Sequence, residues 1–133
     1  MTEFFQPISQ ASELDLPRLF EVWESSVRAT HSFLTQTDIQ MLVPLVKQVL
    51  AGFSPIYCLR NAEGKVIAFL GVTESKIEML FVHADYRGAG AGRTLAYYAI
   101  QQLGADRVDV NEQNETGVGF YKHLGFRPIG RSA

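Results

Sequence analysis

Residues 87–93 read Arg87-Gly88-Ala89-Gly90-Ala91-Gly92-Arg93, with three glycines at alternate positions between two arginines. An apolar, strand-like run precedes them and an amphipathic helical pattern follows. Such small side chains leave the backbone N–H groups of Gly88 through Arg93 uncovered. A helix starting there adds its own unpaired N–H groups and the positive end of its dipole. This bed suits a phosphate or diphosphate, with Arg87 and Arg93 either adding charge to it or simply solvated.

Glu78 is the only charged residue from Ile77 to Val82, in a run whose two faces both read as buried. A carboxylate there is costly unless it is paired or its pKa is raised, and a raised pKa suits a general base. His31, within Ala29–Leu34, is either a group titrating near neutrality or a structural histidine. Cys58, the single cysteine, sits in the apolar run Ile56–Leu59 and reads as a small buried hydrophobe. One cysteine excludes an internal disulfide and a cysteine-based zinc site, and no metal is expected.

The elements that position these groups follow from pattern. Phe4–Ile8 reads as a strand, and Leu16, Leu19, Phe20, Trp23 and Val27 share one helical face, with Pro17 near the start. A second helix is expected over Thr37–Leu50, kinked or split at Pro44. Pro55–Arg60 and Lys65–Thr73 form a hairpin about Asn61–Gly64, and Lys76–His83 continues the meander. A helix ending at Gly104 follows the glycine loop. Then come a strand over Arg107–Asn111, a helix over Thr116–Leu124 and a strand over Phe126–Ile129. The strand, glycine loop, helix and next strand make a right-handed crossover with parallel strands around Val82 and Val110. The fold class is therefore α/β: a mixed, mostly antiparallel sheet with helices on both faces, in a single domain over residues 1–133.

Three phosphate loops compete for the glycines. A Walker-type loop needs Gly-Lys-Ser/Thr, and Gly92 is followed by Arg93-Thr94. A dinucleotide fingerprint needs a third Gly or Ala where Arg93 or Leu95 stands, and no second mononucleotide half follows. Arg87, Gly90 and Gly92 satisfy the third pattern, Arg-x-x-Gly-x-Gly. Leu80–Gly88 before it, Val110–Asn114, and Gly119-Phe120-Tyr121-Lys122-His123-Leu124-Gly125-Phe126 after it, complete a resemblance to the GNAT N-acetyltransferase superfamily over about residues 3–131. Trp23, Ser26-Val27, Ala29–Leu34 and the Asn111–Asn114 run more narrowly resemble a bacterial, YjaB-like branch described as peptidyl-lysine acetyltransferases.

The resemblance implies acetyl-CoA as donor, its diphosphate on residues 88–93 and its pantetheine arm beside Leu80, Phe81 and Val82, one of whose N–H groups polarises the thioester. It implies that Asn114 contacts the cofactor, although capping the next helix is an equal use for it. It implies that Tyr121 protonates the leaving thiolate; otherwise that hydroxyl only satisfies a buried contact. A base on the strand of Glu78 is common in the superfamily. Asp109 matches the place of a glutamate base in relatives acting on ribosomal-protein N-termini, or else pairs with Arg107 on the surface. Either carboxylate acts directly or through water.

Bulk properties narrow the partners. Twelve basic residues against fourteen acidic ones leave a formal net charge of −2, which argues against nucleic acid. No signal-peptide pattern or long apolar span is present, so no membrane association and a cytoplasmic location are expected. YjaB-like sequences continue with a further strand past the equivalent of Gly130-Arg131-Ser132, so this chain is expected to lack the last strand. Three outcomes are expected: a strand supplied by a partner chain in a homodimer with strand exchange, rearranged pairing of Phe126–Ile129, or a shortened chain. The functional expectation is N-acetyl transfer to a primary amine of a peptide, lysine or small molecule. A non-catalytic acetyl-CoA binder and, third, a dinucleotide-binding protein are the alternatives.

Overall fold

The computed structural model describes residues 4–30, 33–110 and 114–129. The elements run β1 (Ser9–Gln10), α1 (Leu16–Thr30), α2 (Gln36–Gly52), β2 (Tyr57–Arg60), β3 (Val66–Thr73), β4 (Lys76–Val82), α3 (Ala91–Gln102), β5 (Arg107–Val108) and α4 (Glu115–His123). One sheet carries the strands in the order β1-β2-β3-β4-β5. Its first three pairings are antiparallel and β4–β5 is parallel, so the sheet is mixed as its sequence implies.

Alternation along β3 assigns a helix layer to each face. Phe69 joins Leu19, Val22, Trp23 and Val27 of α1 and Leu50 of α2, whereas its neighbours Ala68 and Leu70 join Leu95 and Ala99 of α3. Each of the larger of these side chains gains roughly 1.5–3 kcal/mol on burial. No helix among the described residues is long and apolar enough to cross a membrane.

The alternation breaks once in β4. Gly71 faces Met79 and Val72 faces Ile77, so Glu78 has no residue opposite it. Ile77 packs on the α3 side and Met79 on the α1 side, although in an unbroken strand they would share a face. The bulge at Glu78 flips the parity and turns that carboxylate outward. Gly71 matters here because a Cβ on it would lie 2.7 Å from both Met79 Cε and Phe53 Cε1.

Glu74 and Ser75, at φ of 51° and 65°, make the two-residue turn between β3 and β4 in a left-handed conformation that glycine or asparagine would adopt more cheaply. The turn also receives β5. Ser75 C=O accepts from the N–H groups of Asp106 (2.8 Å) and Arg107 (3.3 Å), and Glu74 C=O accepts from the Arg107 guanidinium.

Several boundaries differ from those expected. The first strand is Ser9–Gln10 and not Phe4–Ile8, with an isolated bridge from Phe5 to Asn61, because Pro7 has no N–H to give to a ladder. The second helix starts before Thr37: Thr35 and Asp38 form a capping box, Thr35 Oγ1 accepting from Asp38 N–H at 3.1 Å. Pro44 does not split it, since Pro44 and Gln40 are exposed and the carbonyl deprived of a donor is open to water. β5 is limited to Arg107–Val108, shorter than the Arg107–Asn111 expected, and its parallel pairing, Lys76–Arg107 and Ile77–Val108, does not extend to Val82 and Val110. The expected strand at Phe126–Ile129 is not formed among the described residues. Phe126 N–H turns back to Tyr121 C=O at 3.0 Å, and Pro128 removes a further donor. Gly130–Ala133, on which the expected missing strand bears, lie outside the described residues.

Asp15, in the short turn before α1, fixes that helix to β2. Its Oδ2 accepts from Arg60 Nη2 at 2.9 Å and its Oδ1 from Nη1 at 3.2 Å. The Arg60 guanidinium holds the Asp15 carboxyl below its ordinary value. A lowered native pKa stabilises the fold above the unfolded value, about 3.9, and that contribution disappears as the pH falls through the native one. Asp15→Asn is expected to lose about 1 kcal/mol at neutral pH. In urea titrations its deficit against the parent chain should shrink steadily below about pH 4.

Candidate active site

After Ile77 and Val108 the two parallel strands are no longer paired, and a cavity of about 610 Å³ lies between them. Leu80, Phe81 and Val82 of β4 form one wall, and Asp109 and Val110, just past β5, form the other. The glycine loop closes one end and α4 contributes Asn114 and Tyr121. A parallel sheet would normally fill such a space with ladder hydrogen bonds, so β4 presents backbone polar groups to a ligand there.

Gly88 and Gly90 have φ of +81° and +90°, and a Cβ on either would meet no atom within 4 Å. Their requirement is thus conformational, and the space beside them opens into the cleft. Gly90 is the N-cap of α3 and offers no capping side chain. The N–H groups of Ala91, Gly92 and Arg93 consequently have no intrahelical acceptor. Gly92 is a packing position: its Cβ would lie 3.5 Å from Val82 Cγ2 and Phe120 Cζ. Ala89 departs from expectation. Its N–H donates to Tyr86 C=O at 3.3 Å and it does not line the cleft, because the turn that frees its neighbours uses this amide internally. Arg93 is exposed and lines the cleft; Arg87 lines it too and donates to the Ala29 carbonyl at the end of α1, at 3.5 Å.

The loop rests on a buried residue that sequence reading treated only as part of a turn. Asn61 Oδ1 accepts from Glu63 N–H (3.1 Å) and Lys65 N–H (2.9 Å), while its Nδ2 donates to the Tyr86 hydroxyl at 3.0 Å. Ser25 Oγ likewise accepts from Ala84 N–H at 3.0 Å. Only the local half of these contacts could be anticipated, from the Asn-x-x-Gly turn pattern.

Glu78 is not buried as expected. The bulge leaves its side chain 38% exposed, with Lys76 Nζ 3.7 Å from its Oε1. Asp109 pairs with Lys76 and not with Arg107, whose guanidinium faces Asp106 at 3.3 Å and the Glu74 carbonyl. The reason is register: parallel pairing sets Lys76 opposite Arg107, so Asp109, two residues on, reaches the Lys76 ammonium at the cleft mouth. The Asp109 carboxylate, with help from Glu78, holds that ammonium above its ordinary pKa. Lys76 was missed in the sequence because its meaning depends on a cross-strand register.

Tyr121 lines the cleft with its ring edge-on to Phe120 and Phe126, at centroid distances of 5.1 and 5.7 Å. Burial pushes its hydroxyl up to about 12, so it remains a neutral donor throughout the physiological range. Asn114 caps α4, its Oδ1 accepting from Gly117 N–H at 3.0 Å, and it also borders the cleft. A Cβ on Gly117 would lie 2.6 Å from Asn114 Nδ2, so a side chain there would push the capping amide aside. Leu34 packs on the α1-side core, while His31, Ser32 and Asn111–Gln113 lie outside the described residues. Cys58 is buried, and desolvation raises its thiol to about 11, as befits an inert core residue.

Comparison with known proteins gives this geometry its family. Residues 19–133 match the acetyltransferase (GNAT) domain. The peptidyl-lysine N-acetyltransferase YjaB of Escherichia coli (strain K12) is 37% identical over 114 residues, which is 86% of this chain and 77% of that protein. The solution structure of apo YjaB from Escherichia coli superposes with a TM-score of 0.87 at 33% identity, covering 97% of this chain and 86% of the other. The PaiA N-acetyltransferase of Thermoplasma acidophilum, crystallised with coenzyme A, shares the fold with a TM-score of 0.79 at 20% identity, covering 98% and 94%. The parted strands, the glycine-lined helix start and these relatives agree: the chain belongs to the GNAT family of acetyltransferases, which take their acetyl group from acetyl-CoA.

Proposed function

We propose that the acceptor is a lysine side chain of a peptide or protein, and that the cleft residues carry the transfer in one ternary complex. The relatives named peptidyl-lysine N-acetyltransferase support the acceptor class. The observation that carries the reading is the unpaired stretch of β4 ending on a helix N-terminus without side chains to block it.

Each residue then has a physical task. The N–H groups of Gly88 and Gly90–Arg93 hold the diphosphate, with Arg93 adding charge and Arg87 fixing the loop to α1. Main-chain groups of Leu80, Phe81 and Val82 align the pantetheine arm as an added strand would, and one of their N–H groups stabilises the developing oxyanion. Asn114 borders the arm while capping α4. Acetyl-CoA supplies the thioester. Glu78 receives the acceptor ammonium and passes one proton to water. Lys76 engages Asp109 more fully than Glu78, which leaves Glu78 the freer base.

Tyr121 does not act as a free acid. Burial pushes the Tyr121 hydroxyl up to about 12, which makes full loss of its proton ahead of the nitrogen's unfavourable. It donates a hydrogen bond to sulfur as charge builds there, and gives up its proton only as it takes one from the attacking nitrogen. The balance closes: nitrogen forms its bond to the acetyl carbon, the carbon–sulfur bond breaks, and the second nitrogen proton ends on the departing thiol.

With a lysine peptide and acetyl-CoA, the parent chain is expected to release CoA thiol in proportion to acetylated peptide. Tyr121→Phe should lower kcat on the order of a hundredfold and leave the acetyl-CoA Kd unchanged; equal turnover by both proteins would remove Tyr121 from the mechanism. Gly90→Ala places a methyl in the anion bed and costs about 1–2 kcal/mol of backbone strain. Calorimetry should then show acetyl-CoA binding at least about tenfold weaker, and an unaltered Kd would place the diphosphate elsewhere.

A further inference from the structure

A second, smaller cavity of about 200 Å³ lies between α1, α2 and the sheet, on the opposite side of β4 from α3. Trp23, Val46, Phe69, Met79 and Phe81 line it, and Leu45 and Val49 stand at its rim. Those two rim residues are 58% and 50% exposed, and Met41, one turn earlier on the same α2 face, is 71% exposed. These residues give the cavity an exposed apolar rim, the kind of surface that a ligand covers.

Glu78 says which ligand. It is the one charged residue lining this apolar cavity, and it also lines the acetyl-CoA cleft, because the bulge puts it at the boundary of the two. Lys76, Glu78 and Asp109 together carry one excess negative charge, which complements an ammonium. A molecule whose ammonium meets Glu78 therefore has an apolar pocket beside its amine, with room for one large side chain.

Resting on the lysine-acetyltransferase reading above, we propose that this cavity is an acceptor subsite, which selects peptide lysines having a large apolar residue as immediate neighbour in sequence. The lysine ammonium sits at Glu78. The neighbouring leucine- or phenylalanine-sized side chain enters between Trp23 and the Leu45–Val49 rim. Specificity for the acceptor thus arises from α2 and the bulge, whereas the donor is held by α3 and the glycine loop.

The test uses lysine peptides that differ only in the flanking residue, with leucine or serine before or after the lysine. At saturating acetyl-CoA, one leucine peptide is expected to show at least about tenfold higher kcat/KM than its serine counterpart, carried by KM. Leu45→Asp and Val49→Asp, both at exposed positions, should abolish that preference and keep the parent Kd for acetyl-CoA. Trp23 is the only tryptophan in the chain and gives a readout independent of turnover. In the presence of CoA the leucine peptide should change its emission saturably and the serine peptide should not. Equal KM values together with an unresponsive Trp23 would overturn the subsite while leaving lysine acetylation intact. Binding of acetyl-CoA with no acetylation of any lysine peptide would instead defeat the acceptor reading on which the subsite rests. If Leu45→Asp turned a dimer into a monomer, the stripe would belong to a second copy and the proposal would also fall.

Discussion

The site depends on where one parallel ladder stops. Lys76 pairs with Arg107 and Ile77 with Val108, and beyond that point β4 has no partner on its β5 side among the described residues. Extending the ladder would close the cleft; losing it altogether would free the strand that carries Asp109. The start of that ladder is set by the left-handed turn at Glu74–Ser75, whose carbonyls take the N–H groups of Asp106 and Arg107 and the Arg107 guanidinium. That turn fixes the origin of β5 and, through it, the meeting of Asp109 with Lys76.

The bulge at Glu78 is a second consequence of the same strand. By shifting parity between Ile77 and Met79, it lets one face of β4 serve two different layers and places a carboxylate between two cavities. Lys76 keeps that carboxylate from standing alone, yet binds Asp109 more closely. The result is a mouth that is negative overall, next to walls that are mostly apolar. Beneath the glycine loop, the Asn61–Tyr86 contact ties the turn between β2 and β3 to the start of the phosphate bed, so a distant hairpin helps to hold the loop in shape.

Much of this was legible in the sequence because it is local. The glycines at 88, 90 and 92, the apolar run before them and the helical period after them encode strand, loop and helix without tertiary information. The core face of α1 followed from Leu19, Trp23 and Val27 in the same way. What was not legible depended on register. Glu78 looked buried because both faces of its apolar run did, and only the one-residue mismatch with β3 turns it outward. Asp109 seemed a match for Arg107 because the two share a strand side, yet Lys76 from the neighbouring strand reaches it first. Pro7 and Pro128 stood in runs read as strands, and the missing N–H at each is enough to shorten or abolish the ladder. The start of α2 was missed because the apolar period begins later than the Thr35–Asp38 capping box that fixes it.

The central claim is that acetyl-CoA occupies the gap between β4 and β5 with its diphosphate on the start of α3. Amide hydrogen exchange, measured residue by residue with and without acetyl-CoA, tests this most directly. Protection gained together at Leu80 and Val82 and at Gly88 and Gly90–Arg93, with β1 and α2 unchanged, is the expected pattern. Binding that leaves those amides exchanging as before would contradict it.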